Sequence, residues 1–210
     1  MLLWINGPFG GGKTQTAYEL RRRLPGSVVC DPELVGFGLH RMMPPGMRAD
    51  FQTFPSWRQG VFEVLDHVLR EHDGVVIVPM TLVEPQYFEE IIGRLRDAGH
   101  DVRHFALLAE RDTVLNRLRD RGLGLAPVLR MIGRCDFLLR RESFAVRKLD
   151  YCLAQLSKPE FAQQIHTDTT PIPPLAEHIA DTVGLKLTPD NHSPLLDRLR
   201  QMAVTIRHLR

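Results

Sequence analysis

The chain has 210 residues, 43% of them hydrophobic, and a formal net charge of +2. That is enough apolar material for one α/β domain with a full core, and the near-balance of charge excludes a global basic footprint for nucleic acid. The cysteines, Cys30, Cys135 and Cys152, lack C-x-x-C spacing and read as reduced thiols of a cytoplasmic protein, with no signal peptide or spanning helix expected.

Leu2-Leu3-Trp4-Ile5 is a short apolar run that suits a buried parallel strand. The next segment, Gly7-Pro8-Phe9-Gly10-Gly11-Gly12-Lys13-Thr14, fills every fixed position of G-x-x-x-x-G-K-[ST]. This pattern points to the polyphosphate of a nucleotide, with magnesium. Glycines let the backbone curl so that successive N–H groups face phosphate oxygens. Lys13 can then reach the outer phosphates, and Thr14 can offer its hydroxyl to Mg²⁺. Gln15 completes the binding segment, and the helix marked by Ala17, Leu20 and Leu24 adds its positive N-terminal end.

Ser27 to Asp31 reads as a second strand ending in a carboxylate, with Pro32 as its stop. Val35 to Phe54 is broken by glycine and proline and carries Met42, Met43 and Met47; an irregular cover over a pocket is expected there. From Trp57 to His72 the residues Val61, Val64, Leu65 and Val68 mark a helical face. Val75 to Val78 is a buried strand ending at Pro79-Met80-Thr81. Pro85 opens a helix with the stripe Phe88, Ile91, Ile92 and Leu95, and Gly99 ends it. Val102 to Ala109 is a fourth strand closing at Glu110, and Val114, Leu115 and Leu118 mark the helix after it. An arginine-rich helical segment follows from about Pro127 to Leu156. Phe161 to His166 is a fifth strand, Thr167 to Pro171 a loop, and Leu175, Ile179 and Val183 a last core helix.

This alternation predicts a parallel sheet with crossover helices. Ligands of such sheets sit beyond the carboxyl ends of the strands. The glycine loop, Asp31, Thr81, Glu110 and Thr167 to Thr170 all fall at those ends. The small size and the absence of N-K-x-D disfavour a GTPase and favour a compact kinase-like domain under an arginine-rich lid.

Asp31 is the candidate to orient an attacking hydroxyl or accept its proton. It also fits the cap of a helix starting at Pro32-Glu33, and one residue can do both. Arg117 and Arg121, four apart on one helix, are candidates to neutralise charge on a transferred phosphoryl group, against a plain solvated face as the alternative. Arg58, beside Trp57, is a candidate for the second substrate or a surface helix start. No Asp ends the strand Val75 to Val78; Thr81 and Glu110 are the possible substitutes.

The chain resembles the ATP-binding tunicamycin resistance protein family. The resemblance rests on Ile5 to Thr14, on Asp31-Pro32-Glu33-Leu34-Val35-Gly36, on the Trp57-Arg58 helix and on Val76-Ile77-Val78-Pro79-Met80-Thr81, and it covers roughly residues 1–185. It implies a P-loop, nucleotide-kinase-like fold with a five-stranded parallel sheet of order 2-3-1-4-5, and ATP with Mg²⁺ as the bound nucleotide. It also implies a lid after the fourth strand and a tunicamycin-like nucleoside antibiotic as small-molecule partner. Phosphorylation of the drug and simple capture of it both remain open readings. The expected division is a kinase-like domain over 1–187 and a basic amphipathic helix within 188–210. That helix carries Leu195, Leu196, Leu199, Met202 and Ile206 on one face; it suits an anionic membrane surface or packing on protein.

Overall fold

The computed structural model describes residues 1–120, 135–161 and 163–190, with 135–143 as backbone only. Its centre is a five-stranded parallel sheet in the order β2-β3-β1-β4-β5. The strands are β1 (Leu2–Asn6), β2 (Val28–Val29), β3 (Val76–Pro79), β4 (Val102–Leu108) and β5 (Gln164–His166). The helices are α1 (Lys13–Arg23), α2 (Glu33–Met42), α3 (Pro55–Glu71), α4 (Pro85 to Asp97), α5 (111–120), α6 (Cys135–Leu156) and α7 (Ile172–Thr182). The fold implied by the resemblance is the fold observed.

The strand period of two divides the core. Leu2 and Trp4 of β1 point to one face, where they pack with Trp57, Val61 and Leu65 of α3 and Ile91 and Leu95 of α4. Leu3 and Ile5 point to the other, against Ala17 and Leu20 of α1 and Leu175 and Ile179 of α7. Covered on both faces, all four apolar residues of β1 are fully buried, as central parallel strands require. After β3 the chain crosses to the far side of β1, so the strand order reverses beside β1. The glycine loop leaves β1 at that reversal, the place where open α/β sheets bind ligands.

Several expectations are corrected. Residues 33–42 form helix α2 rather than an irregular cover, and two 3-10 turns, Pro45–Met47 and Phe51–Thr53, follow it. Gly36, read as a break, is where the helix meets the Phe51 ring, close enough that a Cβ would collide with it. Val64 is half-exposed and off the buried face of α3. β2 is confined to Val28–Val29 and β5 to Gln164–His166; Phe161 packs in the core between Phe88 and His104 instead. α4 is interrupted by a π turn at Glu89–Gly93, which no period in the sequence signals. Met42 and Met47 are exposed at 85% and 67%, so they line no apolar pocket within the described residues. Arg121, most of the expected lid and the C-terminal segment 191–210 lie outside the described residues. Thr188 and Asp190, just before that segment, bond to Arg23 and Arg22 of α1.

Candidate nucleotide and acceptor site

Asn6 ends β1 as a fully buried polar side chain. Its Oδ1 accepts from the N–H of Gly7 at 2.8 Å and of Leu82 at 3.0 Å. Its Nδ2 donates to the Leu82 carbonyl at 2.7 Å and lies 3.1 Å from Nε2 of His104. Since Oδ1 is already an acceptor for two amides, Nδ2 is the donor and His104 Nε2 the acceptor. A neutral imidazole is required, and burial, aided by the charge of Arg96, lowers the His104 pKa to about 3. The amide of Asn6 thus clamps the root of the glycine loop to the chain leaving β3.

The loop is shaped by backbone that only glycine tolerates. At Gly7, φ is +153° and a Cβ would lie 2.9 Å from the Leu107 carbonyl of β4. At Gly12, φ is +90°, and no side chain caps the first turn of α1. Inside the bend, Gly11 N–H and Lys13 Nζ both donate to the Pro8 carbonyl at 2.9 Å. Lys13 Nζ also lies 5.6 Å from the centre of the Phe9 ring. Thr14 is half-buried in the first turn of α1, with Gln15 beside it. A glycine-rich bend that carries a lysine and a hydroxyl into the N-terminus of α1 fits a nucleotide polyphosphate and its magnesium ion.

The other candidates lie at neighbouring strand ends. Asp31 follows β2, and its carboxylate accepts from the Glu33 N–H at 2.9 Å, so the capping role is realised at the start of α2. Thr81 follows β3, 5% exposed, and its hydroxyl donates to the Gly7 carbonyl at 2.7 Å. Arg58 is 7% exposed in the first turn of α3. Its Nε donates to Glu90, its Nη1 donates to the Gln52 carbonyl at 2.6 Å, and its guanidinium lies 4.4 Å from the centre of the Tyr87 ring. Arg117 donates to the hydroxyl and carbonyl of Thr167, and Asp168 accepts from the Glu110 N–H at 2.8 Å. Those bonds tie the loops after β4 and β5 together, and the Glu110 amide holds the Asp168 carboxyl below its usual range.

Residues distant in sequence close a circuit around the site. Phe9 meets Phe144 of α6 edge-on at 5.7 Å, and Lys148, one turn on, lies 5.9 Å from the Phe144 ring and 4.0 Å from the Asp50 carboxylate. Asp50 accepts from the Gln52 N–H at 3.1 Å, Gln52 donates to the Thr81 carbonyl at 2.9 Å, and Thr81 returns to Gly7. On α6, burial and a hydrogen bond to Glu84 push the Tyr151 phenol up. Sequence reasoning passes over Asn6, Gln52, Glu90 and Lys148 as functional residues. Only Asn6 carries a signal, as the one polar residue closing an apolar strand before the loop.

A parallel sheet of this order, with a glycine loop leaving its central strand into α1, defines a P-loop, nucleotide-kinase-like domain. The AAA domain family matches residues 2–126. The tunicamycin resistance protein of Deinococcus radiodurans is 32% identical over 90% of this chain and 99% of its own, with a TM-score of 0.70. A sugar kinase from Janibacter is 15% identical over 88% of this chain and 94% of its own, with a TM-score of 0.57. A shikimate kinase from Bacteroides thetaiotaomicron is 17% identical over 88% and 99%, with a TM-score of 0.51. These two share the fold. None of the curated proteins compared matches the sequence. The chain belongs to the tunicamycin resistance protein family of P-loop, kinase-like proteins. Among the described residues no helix is long and apolar enough to cross a membrane.

Proposed function

We propose that this chain is a Mg-ATP-dependent phosphotransferase that modifies a hydroxyl of a tunicamycin-like nucleoside antibiotic. The observation that supports the reading is that Asp31 and Thr81 follow β2 and β3 at the sheet end where the glycine loop leaves β1, Thr81 bonding Gly7, with Arg117 fixed to the loop after β5. When bound, Mg-ATP supplies the phosphoryl group and ADP as the leaving group. The loop amides of Gly7 to Gly12 and the first turn of α1 hold the phosphates, Lys13 neutralises their charge, and Thr14 is the protein ligand of Mg²⁺. Asp31 orients the acceptor hydroxyl and takes its proton. Arg117, with Arg121, balances negative charge from the nucleotide side; Arg58 and Thr81 shape the acceptor side.

A second reading is capture of the drug without transfer. It is favoured by Thr81, which stands where a carboxylate would end β3 and whose hydroxyl is given to Gly7. Mass spectrometry of tunicamycin incubated with the protein and Mg-ATP separates the two. The proposal expects a gain of one phosphoryl group, and a loss of roughly 100-fold or more in rate for Asp31→Asn with nucleotide affinity kept. Stoichiometric protection by unmodified drug, unchanged in Asp31→Asn, contradicts it.

A further inference from the structure

The acceptor side of the cleft shows an unusual balance of charge. Arg58 is buried and bonded to Gln52, whose amide reaches the Thr81 carbonyl beyond β3, and a guanidinium in such a place would ordinarily serve as a fork for a carboxylate or phosphate. In this chain the fork is already engaged. Nε meets Glu90 at 2.5 Å, Nη1 meets the Gln52 carbonyl at 2.6 Å, and the plane of the group lies over Tyr87. Glu90 reaches it from the π turn Glu89–Gly93 of α4, a wide turn of the kind often found at functional positions. Arg58 in return holds the Glu90 carboxyl below its usual range. Among the described residues, Arg94 adds its charge near Glu90, and Lys148 faces the carboxylate of Asp50 at 4.0 Å. Asp31 and Glu84 add carboxylates at the ends of β2 and beyond β3.

Resting on the kinase-like reading of the site, we infer that the acceptor wall selects an uncharged, hydroxyl-bearing molecule over an anionic one, and that Glu90 sets this preference by compensating Arg58. An anion entering beside a compensated arginine loses its hydration and gains little field in return, and the carboxylates around it repel it. An uncharged sugar or nucleoside pays no such desolvation and can donate hydroxyls to those same carboxylates. Glu90 is a specificity-determining residue in this scheme, acting through Arg58.

The test is calorimetry on the full chain saturated with a magnesium-bound, non-hydrolysable ATP analogue, titrated with uridine and with uridine monophosphate. The inference expects uridine to bind at least tenfold more tightly than its phosphate. Glu90→Gln, which leaves Arg58 uncompensated, is expected to narrow that ratio about tenfold or reverse it. Asp50→Asn, on the rim, keeps the cap on Gln52, frees Lys148 and is expected to narrow the ratio in the same direction should Glu90→Gln fold poorly. Preference for the phosphate in the natural chain, a ratio unchanged in folded Glu90→Gln (or in Asp50→Asn where Glu90→Gln does not fold), or no heat with either uridine or its phosphate overturns the inference. Because the ratio is read without turnover, it can fail while phosphorylated drug is still formed, and it can hold where no transfer occurs.

Discussion

The two halves of the cleft are encoded differently. The nucleotide half is a contiguous segment, Gly7 to Thr14, whose bonds are largely its own: Gly11 and Lys13 to Pro8, and Gly12 as the uncapped start of α1. The proposed acceptor half draws on residues far apart in sequence: Gln52 reaches Thr81 and Arg58, Arg58 reaches Glu90, and Asp50 meets Lys148, with Asp31 at the end of β2. A local motif fixes which atoms can hold phosphates. On the proposed reading, a dispersed wall selects what stands opposite them, and single substitutions there would alter it without touching the loop.

The two halves meet at Asn6, and the largest expected effect is its loss. Asn6→Ala strands the Gly7 and Leu82 amides, the Leu82 carbonyl and His104 at a buried site. Destabilisation of about 4 kcal/mol, read by denaturant melts, is expected, together with weaker binding on both sides of the cleft. A variant weakened on one side only would show that the joint lies elsewhere.

Acid tests the same joint. His104 has a pKa of about 3 in the fold against 6.5 unfolded. Between these values only the unfolded chain takes the proton, so stability falls as pH drops below about 6.5 and levels off near 3. At pH 5 the cost is about 2 kcal/mol. Melting temperatures of His104→Gln, which keeps an acceptor for Asn6, are expected to fall less steeply over that range than those of the natural chain. Parallel curves would exclude His104 as the cause.

A smaller effect sharpens the division. Arg117→Met removes the bonds to Thr167 on the nucleotide side alone. A roughly fivefold rise in the dissociation constant for Mg-ATP, from about 1 kcal/mol, is expected, with acceptor binding unchanged.

What could be read from the chain follows the same line. The loop and the strand alternation were legible because apolar runs and glycine spacing are local properties, whereas the sheet order came only as an implication of the family resemblance. Only the start of α2 was legible, at Pro32-Glu33; its extent was missed because Gly36 looks like a break, and only the Phe51 ring folded against it shows why a glycine stands within a helix. The partner of Arg58 lies 32 residues away on a π turn, beyond the reach of any periodic pattern. Lys148 approaches Asp50 through the packing of α6, by Ala145 and Leu149 on Val114 and Leu118 and by Phe144 on Phe9, which no local pattern shows.

The most direct test of the account is calorimetry of Mg-ATP binding to the natural chain and to Lys13→Ala. Saturable binding of one nucleotide per chain is predicted, weakened roughly 100-fold by the substitution through loss of a charge-assisted contact. Absence of binding, or equal affinity in both proteins, would contradict it.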